Sequence, residues 1–140
     1  EEKKNQFLVS TVTGVVPYVS FIRDYIEANR KGHHFYVLEG ASYQDEFVYD
    51  EEFVAIAKER PDLLTFVPTV SRPTESKNDS WNGEKGRVNN IVDSKIREFR
   101  LETIDTMVYA CGHPGMIEDV KQKVVPLGFE FLEERFWKDD

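Results

Sequence analysis

The sequence predicts an α/β protein of three layers, in which a five-stranded parallel sheet lies between helices. Short apolar runs rich in β-branched and aromatic residues alternate strictly with segments of helical periodicity. Each crossover between parallel strands is then a right-handed connection through a helix, which covers both faces of the sheet. The chain has 140 residues, which suits one domain. We therefore expect one domain over residues 1–140, with its core at about 6–137.

The predicted strands are short apolar runs that end at turn-forming residues. In chain order they cover residues 6–10, 35–38, 63–70, 106–111 and 129–136. Pro68 favours an edge position, or the end of the third strand, because proline cannot donate to a ladder. Residues 71–86 are rich in charge, Pro, Asn, Ser and Gly, and read as a long loop.

The predicted helices show apolar residues at spacings of three and four. Pro17 suits the first position of the first helix, and Pro61 ends the second. The first helix is expected to be largely covered because its apolar residues form a wide face: Val15, Tyr18, Val19, Phe21, Ile22, Tyr25 and Ile26. The third helix is predicted from Val88, Ile91, Val92, Ile96 and Phe99. Pro114 opens the last helix, whose apolar face is Ile117, Val120, Val124 and Leu127.

Composition excludes several function classes. The net charge of −8 argues against a general electrostatic surface for nucleic acid. No apolar run reaches the roughly 20 residues of a membrane span. The single cysteine, Cys111, allows no internal disulfide and no multi-cysteine metal site, and His33 and His34 lack further ligands. We therefore assign no metal and expect a reducing, cytoplasmic location.

Ligands of open parallel sheets bind where the carboxyl ends of the strands meet. The turns at that rim are predicted at residues 11–16, 39–44, 71–87 and 111–116. The first turn contains glycine between a strand and a helix, so its backbone N–H groups and the helix dipole favour a phosphate. The sequence has neither a GxGxxG motif nor a P-loop.

This first turn resembles the (A/G)TGTG(I/V)AP segment of the ferredoxin–NADP⁺ reductase superfamily. The matching positions are Thr11, Thr13, Gly14, Val15 and Pro17. Val12 and Val16 stand where the family has glycine and alanine. The resemblance implies the strand order 3-2-1-4-5 and a dinucleotide held by the five matching residues.

The long loop is similar to the SR(P/E) and G..G(R) segments of NADP-dependent members. Ser71 and Arg72 match at its start, and Lys85 and Arg87 stand at its end. Arginine binds phosphate through a planar fork, so the two arginines are expected to hold the 2′-phosphate of NADP, with Ser71 and Lys85 beside them. NAD remains an alternative, because NADH-using oxygenase reductases also carry such a triplet. Glu39, at the end of the second strand, would favour the free ribose hydroxyl of NAD.

The fourth turn resembles the family's CG(N/H)PxM segment. Its matching positions are Cys111, Gly112, His113, Pro114 and Met116. The resemblance makes Cys111 the catalytic residue that borders the hydride-transferring carbon of nicotinamide. The other four residues are expected to contact the cofactor, while His113 also shapes the turn rather than acting as a base.

The tail contains Phe136 and Trp137, which look similar to the aromatic ending that stacks on the flavin in some bacterial reductases. The sequence leaves open which of the two stacks.

These resemblances imply the NADP(H)-binding domain of a ferredoxin–NADP⁺ reductase-type flavoprotein. FAD is then expected on a barrel domain that lies upstream or on another chain, because no RxY(S/T) segment occurs here. Ferredoxin or flavodoxin is the expected electron partner, and the chain by itself is expected to transfer electrons poorly. The alternatives are the reductase component of an oxygenase, another flavin oxidoreductase subunit, or a receiver-type regulator. A receiver would require an acidic pair after the first strand, where Ser10 and Thr11 stand.

Overall fold

The computed structural model describes residues 3–135. Its strands are β1 Asn5–Thr11, β2 His34–Ala41, β3 Leu64–Val70, β4 Glu84–Lys85, β5 Thr106–Gly112 and β6 Glu130–Arg135. Its α-helices are α1 Val16–Glu27, α2 Asp50–Glu59, α3 Val92–Glu98 and α4 Pro114–Val124. Short 3₁₀ turns precede α1 at Val12–Gly14 and α3 at Val88–Asn90. None of the helices within this part of the chain has the length and apolar character to cross a membrane.

The sheet is parallel throughout, with strand order β4-β3-β2-β1-β5-β6. This confirms the predicted α/β class and, for the five longer strands, the predicted order. The prediction of five strands is wrong by one, because the long loop contains the two-residue strand β4. A strand of two residues has no periodicity of its own, and it forms here because Thr69 and Val70 offer it a free edge. Pro68 lies where β3 has only β2 as a neighbour, as predicted.

Several boundaries differ from the prediction. The second strand continues to Ala41 because Gly40 pairs with both β1 and β3, and Ala41 pairs with Val70 of β3. The third helix begins at Val92, since the residues before it form a 3₁₀ turn. The first helix is less covered than expected, with 44% of Phe21 and 37% of Ile26 exposed. Its apolar face is wider than the part of the sheet beneath it.

The core lies in two layers, one on each face of the sheet. The layer beneath α3 and α4 contains mainly aliphatic residues from these helices and the central strands, such as Val9, Leu38, Val108, Ile117 and Val120. The layer beneath α1 and α2 is more aromatic, and includes Leu8, Tyr18, Val37, Phe53 and Leu64. Because both faces of the central strands are buried, these strands are apolar throughout rather than alternating.

Glu39 is an exception in this core. It lies on β2 between Ser10 of β1 and Pro68 of β3, and its side chain is fully buried. Neither carboxyl oxygen has a hydrogen-bond partner. Burial, with a smaller contribution from the charge of Asp50, raises the pKa of Glu39 from 4.5 to about 8. The side chain is therefore a neutral acid at pH 7, since the ionised form would be both desolvated and unpaired.

We predict that this buried carboxyl makes stability fall as pH rises from about 5 to 8. Over that range the folded chain keeps a proton that the unfolded chain has lost, so the free energy of unfolding decreases by about 1.4 kcal/mol per pH unit. Glu39→Gln removes this contribution, and urea unfolding between pH 5 and 8.5 measures it. Glu51→Gln, at an exposed position of α2, is the matched control. A Glu39→Gln protein with the same pH slope as the unchanged protein would contradict the assignment.

Candidate nucleotide site

A cleft of about 490 Å³ lies at the carboxyl rim of the sheet, within the size range of small-molecule sites. All four predicted rim turns contribute to its wall. The cleft is lined by Thr11, Val12, Thr13, Gly40, Ala41, Ser42, Glu46, Ser71, Arg87, Val88, Asn89, His113, Gly115 and Met116.

The first turn packs directly against the fourth. Gly14 is buried, and a Cβ at this position would overlap the backbone carbonyl of Cys111. Gly14 is thus required by the close approach of two backbones, and it does not line the cleft. The exposed side of the turn is formed by Thr11, Val12 and Thr13, whose two threonine hydroxyls lie 3.3 Å apart. At this turn, only the residues before the glycine line the cleft.

The fourth turn is likewise shaped for close packing against the first turn. Gly112 has a φ of +126°, and a Cβ there would collide with the hydroxyl of Thr11. That hydroxyl accepts a hydrogen bond from the backbone N–H of His113 at 3.3 Å. His113 caps α4, since its Nδ1 accepts from the N–H of Gly115 at 3.0 Å. The predicted turn-shaping part of its role therefore has a structural basis.

Cys111 lies apart from the cleft wall. Its side chain is on the α1 side of the sheet, in the aromatic core layer, and is only 4% exposed. Burial raises the pKa of the Cys111 thiol. Tyr18, which donates a hydrogen bond to the carbonyl of Val9 at 2.7 Å, lies beside the thiol. Cys111 is therefore a neutral, small, polarisable group of the core rather than an ionised nucleophile.

The second turn brings an acidic residue to the cleft, but not the expected one. Glu39 is buried beneath the rim and does not line the cleft, so its carboxyl group gives no preference for NAD in this geometry. Glu46 lines the cleft instead, and its Oε1 accepts hydrogen bonds from the backbone N–H groups of Ser42 and Tyr43, both at 2.9 Å. The sequence offered no periodic signal for Glu46, because its place depends on a 3₁₀ turn at Gln44–Glu46.

The two arginines of the long loop occupy different environments. Arg72 donates to Glu75 at 3.1 Å, and its guanidinium lies 5.8 Å from the ring centre of Tyr43, outside the cleft wall. Arg87 is exposed, lines the cleft and forms no ion pair within residues 3–135. The charge of Arg87 is therefore available to an anionic ligand, whereas that of Arg72 is already partly neutralised.

Polar contacts within the protein hold the long loop at the rim. Asn78 is buried, donates to the carbonyls of Ser42 and Arg72, and accepts from the N–H of Gln44. At the other end, Asn89 donates to Asp119 of α4 at 2.6 Å. These contacts attach the loop to the second turn and to α4.

The structure thus brings together six of the predicted site residues: Thr11, Thr13, Ser71, Arg87, His113 and Met116. Seven others lie at the same rim without lining the cleft: Gly14, Val15, Pro17, Arg72, Lys85, Gly112 and Pro114. Cys111 lies beside the rim on the opposite face. Phe136 and Trp137 lie outside the described residues. The prediction missed Ser42, Glu46 and Asn89, whose positions depend on long-range contacts.

No cluster of three or more His, Cys, Asp or Glu residues that could hold a metal ion occurs between residues 3 and 135.

Comparison with known proteins identifies the family of this fold and site. The family model described as "Oxidoreductase NAD-binding domain" matches residues 8–122. The chain is 28% identical over 149 residues to a chloroplastic ferredoxin–NADP reductase (root isozyme) of Oryza sativa subsp. japonica, covering 96% of this chain and 37% of that protein. It is 25% identical over 126 residues to NADH-cytochrome b5 reductase 1 of Candida glabrata, covering 90% and 42%. The chain therefore spans less than half the length of these relatives.

A solved structure shows the same fold. The ferredoxin NADP⁺ reductase of Neisseria gonorrhoeae, with bound FAD and NADP, matches with a TM-score of 0.77 at 18% identity, over 97% of this chain and 57% of that one. The chain belongs to the oxidoreductase NAD-binding domain family, as an NAD(P)-binding domain of the ferredoxin–NADP⁺ reductase superfamily.

Proposed function

We propose that this domain binds NADP(H) in the rim cleft and places the nicotinamide for hydride exchange with FAD, in a ferredoxin–NADP⁺ reductase-type flavoprotein. The proposal rests above all on one observation, the convergence of four turns on a cleft that contains the cation of Arg87 without an ion pair within the described chain. FAD belongs to a flavin-binding domain, upstream in the same polypeptide or on another chain. Ferredoxin or flavodoxin is the electron partner.

The residues of the cleft fit a phosphate-bearing dinucleotide. Hydroxyl groups of Thr11, Thr13 and Ser71 line the same space as the Arg87 guanidinium. An unpaired guanidinium binds a phosphate bidentately. These four groups come from two turns, so they are placed to contact more than one part of the cofactor.

The reaction site is proposed to lie across the rim from the phosphates. When bound, NADPH and FAD supply the hydride donor and acceptor. Cys111 limits where a nicotinamide ring can sit and excludes water, because its thiol is buried and neutral. Hydride transfer needs neither a base nor a covalent intermediate, so the protein contributes orientation. The chain without a flavin domain is therefore expected to bind dinucleotide but to transfer electrons poorly.

A second candidate keeps the domain but uses NADH, as in an oxygenase reductase component or another flavin oxidoreductase subunit. One observation favours it, since Glu46 places a carboxylate on the cleft wall near the end of β2. An acidic residue at that rim is typical of sites that bind the ribose hydroxyls of NAD. We place the protein in the cytoplasm as part of either proposal, because its one cysteine is a free thiol.

We predict that Arg87, more than Arg72, carries discrimination between NADPH and NADH. A hydrogen bond to a charged group contributes about 1.5–3 kcal/mol, so Arg87→Ala lowers NADPH affinity about 10- to 100-fold. Arg72→Ala has a smaller effect because Glu75 already pairs with that arginine. Calorimetric titration of the chain with NADPH and NADH measures the affinities of both variants, and Arg97→Ala on α3 is the control. NADPH affinity that is unchanged by Arg87→Ala would rule out the 2′-phosphate assignment.

We also predict that Cys111→Ala and Cys111→Ser slow hydride transfer to the flavin more than they weaken NADPH binding. Misplacement of the nicotinamide ring by about 1 Å can slow a reaction by a factor of about 100. We therefore expect the rate of hydride transfer to decrease about 10- to 100-fold. Stopped-flow reduction of the flavoprotein by NADPH gives the rate, and equilibrium titration gives the affinity. An equal loss in both quantities would indicate that Cys111 supports the fold only.

A further inference from the structure

Asn89 is a residue of the cleft wall whose side-chain amide is held by groups outside the cleft. It lies in the 3₁₀ turn before α3, two residues after Arg87, and is half-buried. An asparagine side chain can present either its oxygen or its NH₂ group to a ligand, and rotation about its last bond exchanges the two. The direction in which this amide is held therefore decides which ligand groups it can bind.

Helix α4 holds the amide through two residues that do not line the cleft. Nδ2 of Asn89 donates a hydrogen bond of 2.6 Å to Oδ2 of Asp119. Lys123 pairs with the same oxygen at 3.0 Å, and it also donates to the backbone carbonyl of Asn89. The hydrogen bond from Asn89, followed by that from Lys123, lowers the pKa of Asp119. The Asp119 side chain is therefore an ionised carboxylate at pH 7, which can only accept.

This carboxylate excludes the reversed orientation of the amide. After a rotation, Oδ1 of Asn89 would lie against an oxygen of Asp119 with no proton between two acceptors. Oδ1 accepts no hydrogen bond from any residue between 3 and 135. It is also not buried, because the buried side-chain atoms without a partner in that range belong to Glu39. A residue that lines the cleft thus has an accessible acceptor oxygen with no donor from the described chain.

We propose that Oδ1 of Asn89 accepts a hydrogen bond from the bound dinucleotide, so that the cleft selects a ligand with a hydroxyl or amino group beside the phosphate at Arg87. This inference rests on the proposed function. An ionised phosphate offers only acceptor oxygens, so it is matched by the Arg87 guanidinium and not by Oδ1. The donors of a dinucleotide are its ribose hydroxyls, the amino group of adenine and the amide NH₂ of nicotinamide.

Asp119 is a positioning residue in this arrangement, because it acts on the ligand only through Asn89. The turn that contains Asn89 is also held from the other side, where Val88 occupies the space that a Cβ of Gly40 would need. An acceptor fixed between β2 and α4 loses less conformational freedom on binding than a mobile side chain does. The contact with Asp119 therefore contributes both the direction and the rigidity of the acceptor.

Equilibrium titration of the 140-residue chain with NADP⁺ and with analogues of NADP⁺ tests the acceptor. One analogue has hypoxanthine in place of adenine and lacks the amino group, and the other has acetylpyridine in place of nicotinamide and lacks the amide NH₂. Asn89→Ala is expected to weaken NADP⁺ binding about three- to tenfold, through loss of one hydrogen bond. Asn90→Ala is the matched control at an exposed position outside the cleft wall, with an affinity expected to stay within about twofold.

The analogues identify the donor. If Asn89→Ala and the unchanged chain bind one analogue equally, the group missing from that analogue is the donor. If the loss persists with both analogues, the donor is a ribose hydroxyl. Either result supports the proposal, whereas an NADP⁺ affinity that is unchanged in Asn89→Ala, or that falls equally in Asn90→Ala, would overturn it.

Asp119→Asn tests the positioning role, because an amide at this position can either accept or donate and no longer fixes the orientation of Asn89. We expect about a two- to fivefold loss of NADP⁺ affinity, with Asp24→Asn on α1 as the control. The double variant with Asn89→Ala is expected to bind NADP⁺ as weakly as Asn89→Ala alone. Losses that add in the double variant would mean that Asp119 acts independently of Asn89.

The same titrations separate this inference from the proposed function. A chain that binds no NADP⁺ contradicts both. A chain that binds NADP⁺ and loses affinity on Arg87→Ala but not on Asn89→Ala contradicts the acceptor role of Asn89 alone.

Discussion

The close contact of two backbones at the rim of the sheet is the constraint on which the site depends. The first turn lies against the fourth so tightly that neither Gly14 nor Gly112 has room for a side chain. The hydroxyl of Thr11 fills the remaining space and accepts from the backbone of His113. β1 and β5 are neighbours where the crossovers change from one face to the other, which is where open α/β sheets bind ligands. This contact joins the two turns into one wall.

The long loop between β3 and α3 would not keep a defined shape by its own sequence. It does so because polar side chains satisfy its backbone and fix its ends. The side-chain amide of Asn78 donates to one backbone group of the second turn and accepts from another. Buried Lys95 pairs with Glu84 of β4 at 2.8 Å. Replacing such a buried hub would leave several polar groups unsatisfied at once. The position of Arg87 on the cleft wall is thus a consequence of interior hydrogen bonding.

In the proposed function, the sheet separates the residues that would bind the phosphates from the thiol that would border the nicotinamide. Hydroxyl groups and the Arg87 cation face the cleft at the side of α3 and α4, while the Cys111 thiol belongs to the layer beneath α1. A ligand that reaches both must cross the rim over the glycine contact. Because the two glycines have no side chains, nothing projects from this contact into the path of such a ligand.

The sequence by itself determined the alternation of strands and helices, the positions of the rim turns and six residues of the cleft wall, because periodicity and turn chemistry are local properties. It also carried the resemblance to the family, which the comparison confirms. Tertiary structure decided that Glu39 is buried, that Glu46 and Asn89 reach the cleft, and that Glu75 engages Arg72 but leaves Arg87 without an ion pair in the described chain. Those outcomes, and the extra strand β4, depend on which distant side chains and strand edges become neighbours after folding. Residue type and spacing alone do not specify such long-range contacts.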